Sequence, residues 1–258
     1  MNRHEFAIIH ESAKIHESAT IGPFASIGQN VTVGPDCIIE AHAVIYKNTI
    51  LGAGNFISSY VSLGGASQSK HDNCDDESFL IIGANNSFHE FCSINRGSLL
   101  SSGKTIIGDN NKFMAYVHIG HDCIIGNHTV FVNQATLAGH VQVMDYATIG
   151  YSAAVRQFCK VGQGAFINGG SLVVKDIMPY VMVQANPTRV VGINKVGLGR
   201  LNFDSDQISE IQECYRKVFR RKLTLDQAIA EIMATKSDNH GVENILNLLK
   251  SSERGLVR

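Results

Sequence analysis

Residues 19–48, divided into groups of six, read ATIGPF-ASIGQN-VTVGPD-CIIEAH-AVIYKN. Every group has an aliphatic residue in its third position and a small or aliphatic residue in its first. The third position is aliphatic over ten successive groups, at Ile9, Ile15, Ile21, Ile27, Val33, Ile39, Ile45, Leu51, Ile57 and Leu63. A second run is apolar at twelve successive positions: Ile107, Phe113, Ile119, Ile125, Phe131, Leu137, Val143, Ile149, Val155, Val161, Ile167 and Val173. In a chain with 44% hydrophobic residues, runs of this length are not chance.

The period of six residues distinguishes strands from helices. Six is a multiple of the strand repeat of two but not of the helical repeat of 3.6, so one aliphatic side chain per short strand falls on a common face. Turn-forming residues such as Gly22, Gly28 and Asn30 follow these strands. Three such units close a triangular coil, and stacked coils bury the aliphatic columns. The sequence therefore predicts a parallel β-helix, although the period alone does not fix its hand.

The register of the repeat breaks at two places. From Leu63 to the next aliphatic residue in phase is nineteen residues, and from Ile94 it is thirteen, each one more than a multiple of six. We therefore expect loops at 64–80 and 95–105 that leave the prism and return to it. Insertions on a solenoid tend to lie on its binding face, and ordered loops of this length are usually functional. Disordered surface loops are the alternative.

A helical pattern replaces the repeat after Val174. Thr224 and Gln227 form a capping box, the signature of a helix start. Apolar residues at helical spacing lie on both sides of it: Ile208, Ile211, Tyr215, Val218, Leu225, Ile229, Ile232, Val242, Ile245 and Leu249. We expect a β-helix domain over residues 1–190 and a C-terminal α-helical domain over 191–258.

Charge and hydropathy exclude several classes of protein. The 22 Lys and Arg residues nearly balance the 23 Asp and Glu residues, so no strong field attracts nucleic acid, and no nucleic-acid partner is expected. No apolar run approaches the roughly 18 residues that cross a bilayer, which predicts no integral membrane segment. Residues 1–16 lack the apolar core of a secretory signal. The six cysteines contain no CxxC pair and are expected to be thiols. These features favour a soluble protein in the cytoplasm.

Two histidines stand out against the repeat. His121 and His140 are nineteen residues apart, so they fall on neighbouring coils, each at or next to a turn. Gly139 stacks on His121, and Gln157 stacks on Gly139, because residues eighteen apart are superimposed in the coil. A pair of imidazoles has no packing purpose on an exterior turn, although scattered surface histidines remain the alternative. A neutral imidazole is suited to general base catalysis, here on a hydroxyl or amine during group transfer.

A zinc site is a second interpretation of these histidines. His118 and His121 form an HxxH pair, and some trimeric β-helix enzymes bind zinc through three histidines. Zinc prefers three protein ligands in tetrahedral geometry, so His140 or a neighbouring chain would have to supply the third. We favour the interpretation without a metal, and no cofactor is expected.

Four stretches make the resemblance to a known family specific. They are the run 118–123 (HIGHDC), the run 133–141 (NQATLAGHV), the pair Gln157-Phe158 and the terminal 254–258 (RGLVR). The chain resembles, over essentially its whole length, the acyl-ACP:UDP-N-acetylglucosamine O-acyltransferase family of lipid A biosynthesis. The resemblance implies a left-handed β-helix and transfer of a 3-hydroxyacyl chain from acyl carrier protein to the 3-position of a UDP-sugar. It also implies a homotrimer with sites between neighbouring chains.

The resemblance implies roles for individual residues. The family's general base matches His121, and the backbone amide that stabilises the thioester oxyanion matches Gly139. Gly169 matches the family position that leaves room for a long acyl tail when the residue there is small. The remaining positions are expected to bind substrate: Gln68, His71, His118, His140, Gln157, Asn194 and Arg200.

Several positions depart from the family pattern. The first loop usually carries Gln-Asp-x-Lys, but Ser69 and His71 stand in place of the Asp and the Lys. Arg156 replaces a frequent His, and Val196 and Leu201 replace a Glu and an Arg near the nucleotide. An acyltransferase for another nucleotide sugar, such as a 3-amino sugar, and a non-catalytic paralogue that binds nucleotide sugar or carrier protein therefore remain alternatives.

Basic residues cluster in the helical region, at Arg216, Lys217, Arg220, Arg221 and Lys222. Acyl carrier protein is strongly acidic, so a complementary basic surface would steer its approach. A solvated helix face explains the same cluster equally well.

Overall fold

A computed structural model describes residues 2–69 and 77–258. The predicted substrate-binding residue His71 lies outside the described residues. The strands before the first insertion are β1 (Asn2–Arg3), β2 (Ile8–Ile9), β3 (Lys14–Ile15), β4 (Thr20–Ile21), β5 (Ser26–Ile27), β6 (Thr32–Val33), β7 (Ile38–Ile39), β8 (Val44–Ile45), β9 (Thr49–Leu51), β10 (Phe56–Ile57) and β11 (Ser62–Gly65). The next nine strands are β12 (Phe79–Ile82), β13 (Ser87–Phe88), β14 (Ser93–Asn95), β15 (Lys104–Ile107), β16 (Lys112–Phe113), β17 (His118–Ile119), β18 (Ile124–Ile125), β19 (Val130–Phe131) and β20 (Thr136–Leu137).

The remaining strands lead into the helical region. They are β21 (Gln142–Val143), β22 (Thr148–Ile149), β23 (Ala154–Val155), β24 (Lys160–Val161), β25 (Phe166–Ile167), β26 (Leu172–Val173), β27 (Val181–Gln184) and β28 (Arg189–Ile193). The helices are α1 (Lys195–Arg200), α2 (Ser205–Phe219), α3 (Leu225–Ala234) and α4 (His240–Ser251). The predicted capping box of Thr224 and Gln227 is confirmed at the start of α3, and Asp204 with Gln207 forms a second one at α2.

Three parallel sheets form the walls of the prism. Up to β26, strands pair with those three positions away along the chain, as β17 does with β14 and β20. At the end of sheet I, β25 pairs with β27, and β27 pairs antiparallel with β28. Sheet I contains β1, β4 and every third strand to β25, and then β27 and β28; sheet II runs from β2 to β26, and sheet III from β3 to β24. The chain turns successively at edges I–II, II–III and III–I. The third-position aliphatics point inward, and Ile119, Leu137 and Val155 stack in register with at most 2% exposure. The predicted parallel β-helix is confirmed.

Many turns contain a residue in the left-handed region of backbone space. Asn30 has a φ of 54° and His140 a φ of 63°, and further turn residues with positive φ recur along the helix. Such a residue bends the chain sharply within a few residues, from one wall of the prism to the next. This tight corner lets the backbone hydrogen bonds between successive coils resume at the next strand.

Both insertions leave the prism at edge II–III. The first lies between β11 and β12, and the second between β14 and β15. Their ends pair with one another, since Gly65 aligns with Asn95, and Phe79 with Lys104. Strands β11, β12, β14 and β15 therefore extend into the ends of the predicted loop ranges 64–80 and 95–105. They do so because the two insertions lie on neighbouring coils and their ends pair with each other.

Candidate active site

The site is centred on His121 and Asp122, in the turn between β17 and β18 at edge II–III. His121 Nδ1 lies 2.8 Å from Asp122 Oδ2. The His121 side chain is 20% exposed, whereas that of Asp122 is 1% exposed. A buried carboxylate that accepts from Nδ1 holds the imidazole in one tautomer and leaves Nε2 as the basic nitrogen. The pair can therefore remove a proton from a substrate group.

The second insertion holds Asp122 in place. Its Oδ2 accepts a hydrogen bond from the Ser98 backbone N–H at 3.0 Å, and its Oδ1 accepts one from the Ser102 hydroxyl at 2.7 Å. The Asp122 N–H donates to Thr105 Oγ1 at 2.8 Å. Since the buried carboxylate accepts several hydrogen bonds, it is held in one position. The sequence placed Asp122 beside the histidines but gave it no role; its position directly after His121 was the available signal.

Gly139 lies one coil above His121, in the turn between β20 and β21. A Cβ atom on Gly139 would stand 2.7 Å from His121 Nε2 and 2.8 Å from its Cε1. Only glycine leaves room for the imidazole here. Among the described residues the Gly139 N–H has no hydrogen-bond acceptor, whereas the next N–H, of His140, donates to the His121 carbonyl at 2.9 Å. A free donor thus lies next to the basic nitrogen.

His140 shares the site with His121. The two rings are 5.0 Å apart and nearly perpendicular, at 84°. His140 also stacks on Phe158, at 4.4 Å and 14°, and its Nδ1 lies 3.3 Å from Ser101 Oγ in the second insertion. The ring is thus fixed on two sides beside His121.

His118 is close in sequence but is anchored separately. It lies on β17, on the outer face of sheet II, where its Nδ1 is 2.8 Å from Ser93 Oγ on β14. Burial lowers the pKa of His118 below its usual value, so the imidazole is neutral at neutral pH. The neutral ring is half-buried in the wall formed by sheet II.

Three ligand-capable groups come together in the described part of the chain. The donor atoms of His121, Asp122 and His140 lie within 4.8 Å of one another, and His118 is not among them. The predicted HxxH pair of His118 and His121 is therefore not the pair that the fold assembles. Both Asp122 oxygens already accept protein hydrogen bonds. The carboxylate is thus placed to orient His121.

The other predicted residues of edge II–III extend the site along the prism. Gln157 is exposed in the turn between β23 and β24, one coil above Gly139, since the Phe158 N–H donates to the Gly139 carbonyl at 3.2 Å. Gln68 is exposed in the first insertion. Both therefore share the edge of His121.

Gly169, Asn194 and Arg200 lie elsewhere in the chain. Gly169 is exposed at edge I–II, where an added Cβ would come 3.1 Å from the Tyr151 carbonyl oxygen. Asn194 caps α1: its Oδ1 accepts from the Gly197 N–H, and its Nδ2 donates to the Gly164 carbonyl, both at 3.0 Å. Arg200 ends α1 and is exposed. A single chain does not bring these three residues to His121.

Arg96 is a site-supporting residue that the sequence did not reveal. It is 3% exposed, its Nη1 donates to the Gly64 carbonyl at 3.1 Å, and its Nε donates to Ser78 Oγ at 3.2 Å. One guanidinium therefore ties both ends of the first insertion to the start of the second. Insertions lack the repeat, so no periodic signal marked this residue.

Several residues of the basic cluster 216–222, at the end of α2, make contacts within the helical region. Lys217 is 6% exposed and donates to the Glu231 carbonyl at 2.9 Å. Glu213 pairs with Arg216 at 3.4 Å and with Arg221. Two carboxylates, Glu213 and Glu231, thus pair with two of the five basic residues, Arg216 and Arg221.

No helix in the described ranges is long and apolar enough to span a membrane.

Known proteins with similar sequences match over most of the chain. The model of the bacterial transferase hexapeptide, six repeats, matches residues 12–47 and 104–139, and that of domain 2 of UDP N-acetylglucosamine O-acyltransferase matches 176–257. An acyl-[acyl-carrier-protein]–UDP-N-acetylglucosamine O-acyltransferase of Verminephrobacter eiseniae is 42% identical over 219 residues, which is 83% of each chain. One of Thiobacillus denitrificans is 40% identical over 204 residues, 79% of each chain.

Solved structures show the same likeness. The UDP-N-acetylglucosamine acyltransferase of Francisella novicida superimposes with a TM-score of 0.97 at 39% identity, covering 99% of this chain and 94% of that one. The Moraxella catarrhalis UDP-N-acetylglucosamine O-acyltransferase gives a TM-score of 0.97 at 36% identity, with 100% of both chains covered. The predicted left-handed β-helix with C-terminal helices is thereby confirmed.

Proposed function

Since the chain belongs to the UDP-N-acetylglucosamine O-acyltransferase family, we propose that it transfers a 3-hydroxyacyl chain from acyl carrier protein to the 3-position of UDP-N-acetylglucosamine, the first step of lipid A biosynthesis. One observation supports this assignment above the others. The His121–Asp122 pair presents a basic nitrogen next to the unpaired N–H of Gly139. Acyl transfer to a hydroxyl needs these two groups, a base for the nucleophile and a donor for the oxyanion.

The proposed reaction begins at His121 Nε2, which accepts the proton of the sugar 3-hydroxyl. The sugar oxygen forms a bond to the thioester carbonyl carbon, and the carbonyl electrons move onto its oxygen. The Gly139 N–H donates to this oxyanion. When the oxyanion collapses, the C–S bond breaks and the His121 imidazolium returns the proton to the leaving sulfur. The products are the sugar ester and the free thiol of the carrier protein, and Asp122 stabilises the transient imidazolium.

We further propose that the working enzyme is a homotrimer. Exposed aromatic rings stack along edge I–II, with neighbouring centroids 4.9–5.5 Å apart: Phe6, Phe24, His42, Tyr60, Phe91 and Tyr116. Tyr60 is 53% exposed and Tyr116 is 55% exposed. A continuous aromatic edge of this kind is typical of an interface. Gly169 lies on the same edge, so a neighbouring copy that packs its edge I–II against edge II–III of the first chain brings its Gly169 toward the His121 of that chain.

Light scattering tests the trimer. A mass of three chains at micromolar concentration supports the shared site, and a monomer contradicts it. Tyr60→Glu, which places a charge in the middle of the aromatic edge, is expected to shift the mass toward that of the monomer.

The cytoplasm is the proposed location. The described cysteines Cys37, Cys92, Cys123, Cys159 and Cys214 are thiols buried in the protein. Burial raises the pKa of Cys92 and Cys123 to about 12, which keeps these thiols protonated. Fractionation of cells that express the protein tests this location.

A transfer assay with purified acyl carrier protein tests the function. The donor is 3-hydroxyacyl carrier protein, and the acceptors are UDP-N-acetylglucosamine, its 3-amino analogue and other UDP-sugars. Ester formation with UDP-N-acetylglucosamine as the preferred acceptor supports the proposal. Preference for the 3-amino sugar assigns an amide-forming acyltransferase instead, and binding without turnover on any acceptor contradicts catalysis.

A further inference from the structure

Two adjacent serines of the second insertion contact two different groups of the site. Ser102 Oγ lies 2.7 Å from Asp122 Oδ1, and Ser101 Oγ lies 3.3 Å from His140 Nδ1. Asp122 contacts the ring of His121 at 2.8 Å, and the ring of His140 lies 5.0 Å from that of His121. A substrate hydroxyl that reaches His121 Nε2 therefore lies against His140 as well. The two serines thus support two groups that meet the same substrate.

The turn that carries the two serines is compact. The Ser98 carbonyl accepts hydrogen bonds from the Ser101 N–H at 3.0 Å and from the Gly103 N–H at 2.9 Å. Gly103 has a φ of 70°, in the left-handed region that glycine adopts without strain. An added Cβ on Gly97 would overlap the Lys104 nitrogen, so the two ends of the insertion lie against each other. The backbone therefore holds the two neighbouring hydroxyls in defined positions.

The Ser102 hydroxyl has a single proton, and Asp122 is its acceptor. Ser102 Oγ also lies 3.1 Å from the Lys104 carbonyl oxygen, but the carboxylate is closer and is the stronger acceptor. The Lys104 N–H donates to the same hydroxyl oxygen at 3.3 Å. The Ser98 N–H and His121 Nδ1 both contact Oδ2 of Asp122. Among the described residues, the buried Oδ1 therefore depends on Ser102 alone for a donor.

We propose that the two serines are positioning residues with separate tasks. Ser102 holds the Asp122 carboxylate so that its Oδ2 faces the base. Ser101 holds the ring of His140 against the acceptor sugar. This inference rests on the proposed function, in which an acceptor hydroxyl is deprotonated at this corner of the prism. Without the Ser102 hydroxyl, Asp122 Oδ1 is buried with no protein donor, and the carboxylate is free to turn.

The two tasks affect different kinetic constants. A misaligned base slows proton removal, which belongs to the transition state, so kcat falls. A misaligned contact to the sugar weakens binding in the ground state and the transition state alike, so KM for the acceptor rises while kcat is kept. A turn that only supports the fold would give one common effect, because Ser101 and Ser102 are neighbours in the same turn.

Ser101→Ala and Ser102→Ala test this separation. Ser102→Ala is expected to lower kcat about tenfold and to leave KM for UDP-N-acetylglucosamine unchanged, because a hydrogen bond to a carboxylate is lost. Ser101→Ala is expected to raise this KM about fivefold and to keep kcat. Ser102→Thr retains the hydroxyl and restores kcat. Ser237→Ala is the matched control, because it removes a hydroxyl that donates to Glu210 at 2.6 Å, away from edge II–III, and it leaves both constants unchanged. The same effect in both alanine variants overturns the proposal.

A double-mutant cycle shows whether Ser102 acts through Asp122. In Asp122→Asn the amide oxygen takes the place of Oδ2, so the NH₂ group lies where Oδ1 was and the Ser102 hydroxyl no longer donates to it. Adding Ser102→Ala to Asp122→Asn is therefore expected to change kcat by less than about twofold, since two residues that act in one contact are not additive. A further loss of about tenfold in the double variant overturns the role of Ser102.

Nitrogen NMR of isotope-labelled histidine gives a readout that does not depend on turnover. The variants His121→Ala and His140→Ala identify the ring signals of the two residues. Ser102→Ala is expected to shift the signals of His121, and Ser101→Ala those of His140, because the hydrogen-bonded surroundings of each ring change. Shifted signals support the positioning roles even if the transfer assay fails with every acceptor, a failure that would count against the proposed function alone. Unchanged ring signals in both serine variants overturn the inference.

Discussion

His121 Nδ1 is held 2.8 Å from the buried carboxylate of Asp122, and its Nε2 faces the bare Cα of Gly139 on the next coil. This relationship places the proposed base, its orienting partner and the proposed oxyanion donor in one corner of the prism. Gly139 lies directly above His121 because it follows His121 by eighteen residues, the length of one coil.

Asp122→Asn is expected to reduce kcat by roughly 10²–10⁴-fold. The amide keeps the shape of the side chain, and its oxygen can still accept from the Ser98 N–H and from His121 Nδ1, which both contact Oδ2 of Asp122. The negative charge that stabilises the transient imidazolium is lost. Steady-state kinetics measure the loss, and KM for the nucleotide sugar stays near wild type. A kcat within twofold of wild type would show that Asp122 does not orient the base.

Gly139→Ala is expected to lower kcat by roughly tenfold or more. The new Cβ would stand 2.7 Å from His121 Nε2, so the ring has to move, and displacements of about an ångström at a reacting group are costly. Gly192→Ala is the matched control, because a Cβ there meets nothing within 4 Å. Equal activities of the two variants would contradict the close packing of Gly139 on His121.

Prolonged chelation with EDTA is expected to leave turnover unchanged. His121 already uses Nδ1 on Asp122, and both Asp122 oxygens accept protein hydrogen bonds, so the cluster is built to orient a base. Activity is measured before and after dialysis against the chelator. Loss of turnover that added zinc restores would favour the zinc interpretation of the histidines.

His118 makes the stability of the protein depend on pH. Burial lowers its pKa in the folded state, so the unfolded chain binds the proton more tightly. Stability from this group is full above the ordinary histidine pKa of about 6.5 and falls as the pH drops below it. His118→Gln is expected to show a smaller loss of Tm between pH 7.5 and 5.5 than wild type. Parallel melting curves over this range make the comparison, and identical pH slopes would contradict the buried neutral state.

The repeat could be predicted from the sequence because each coil follows one local rule, an inward aliphatic residue and a turn. The same rule placed His121, Gly139 and His140 on one edge, since their separation in sequence sets their height on the prism. The support of Asp122 by Ser98 and Ser102 could not be predicted, because the insertion that carries these serines departs from the repeat. The hydrogen bonds that make Asn194 a helix cap depend on α1 and on Gly164 of a distant turn, and no local pattern specifies them.

The most direct test of the account is the kcat of His121→Ala with UDP-N-acetylglucosamine and saturating 3-hydroxyacyl carrier protein. The account predicts a loss of about a hundredfold or more, since positioned proton transfer contributes roughly 10²–10⁴-fold. Nucleotide-sugar affinity, measured by calorimetry, should change little, and His128→Ala, at an exposed histidine stacked on Tyr146 at another edge, should retain full activity. Near-normal turnover of a folded His121→Ala variant would contradict the assignment of His121 as the general base.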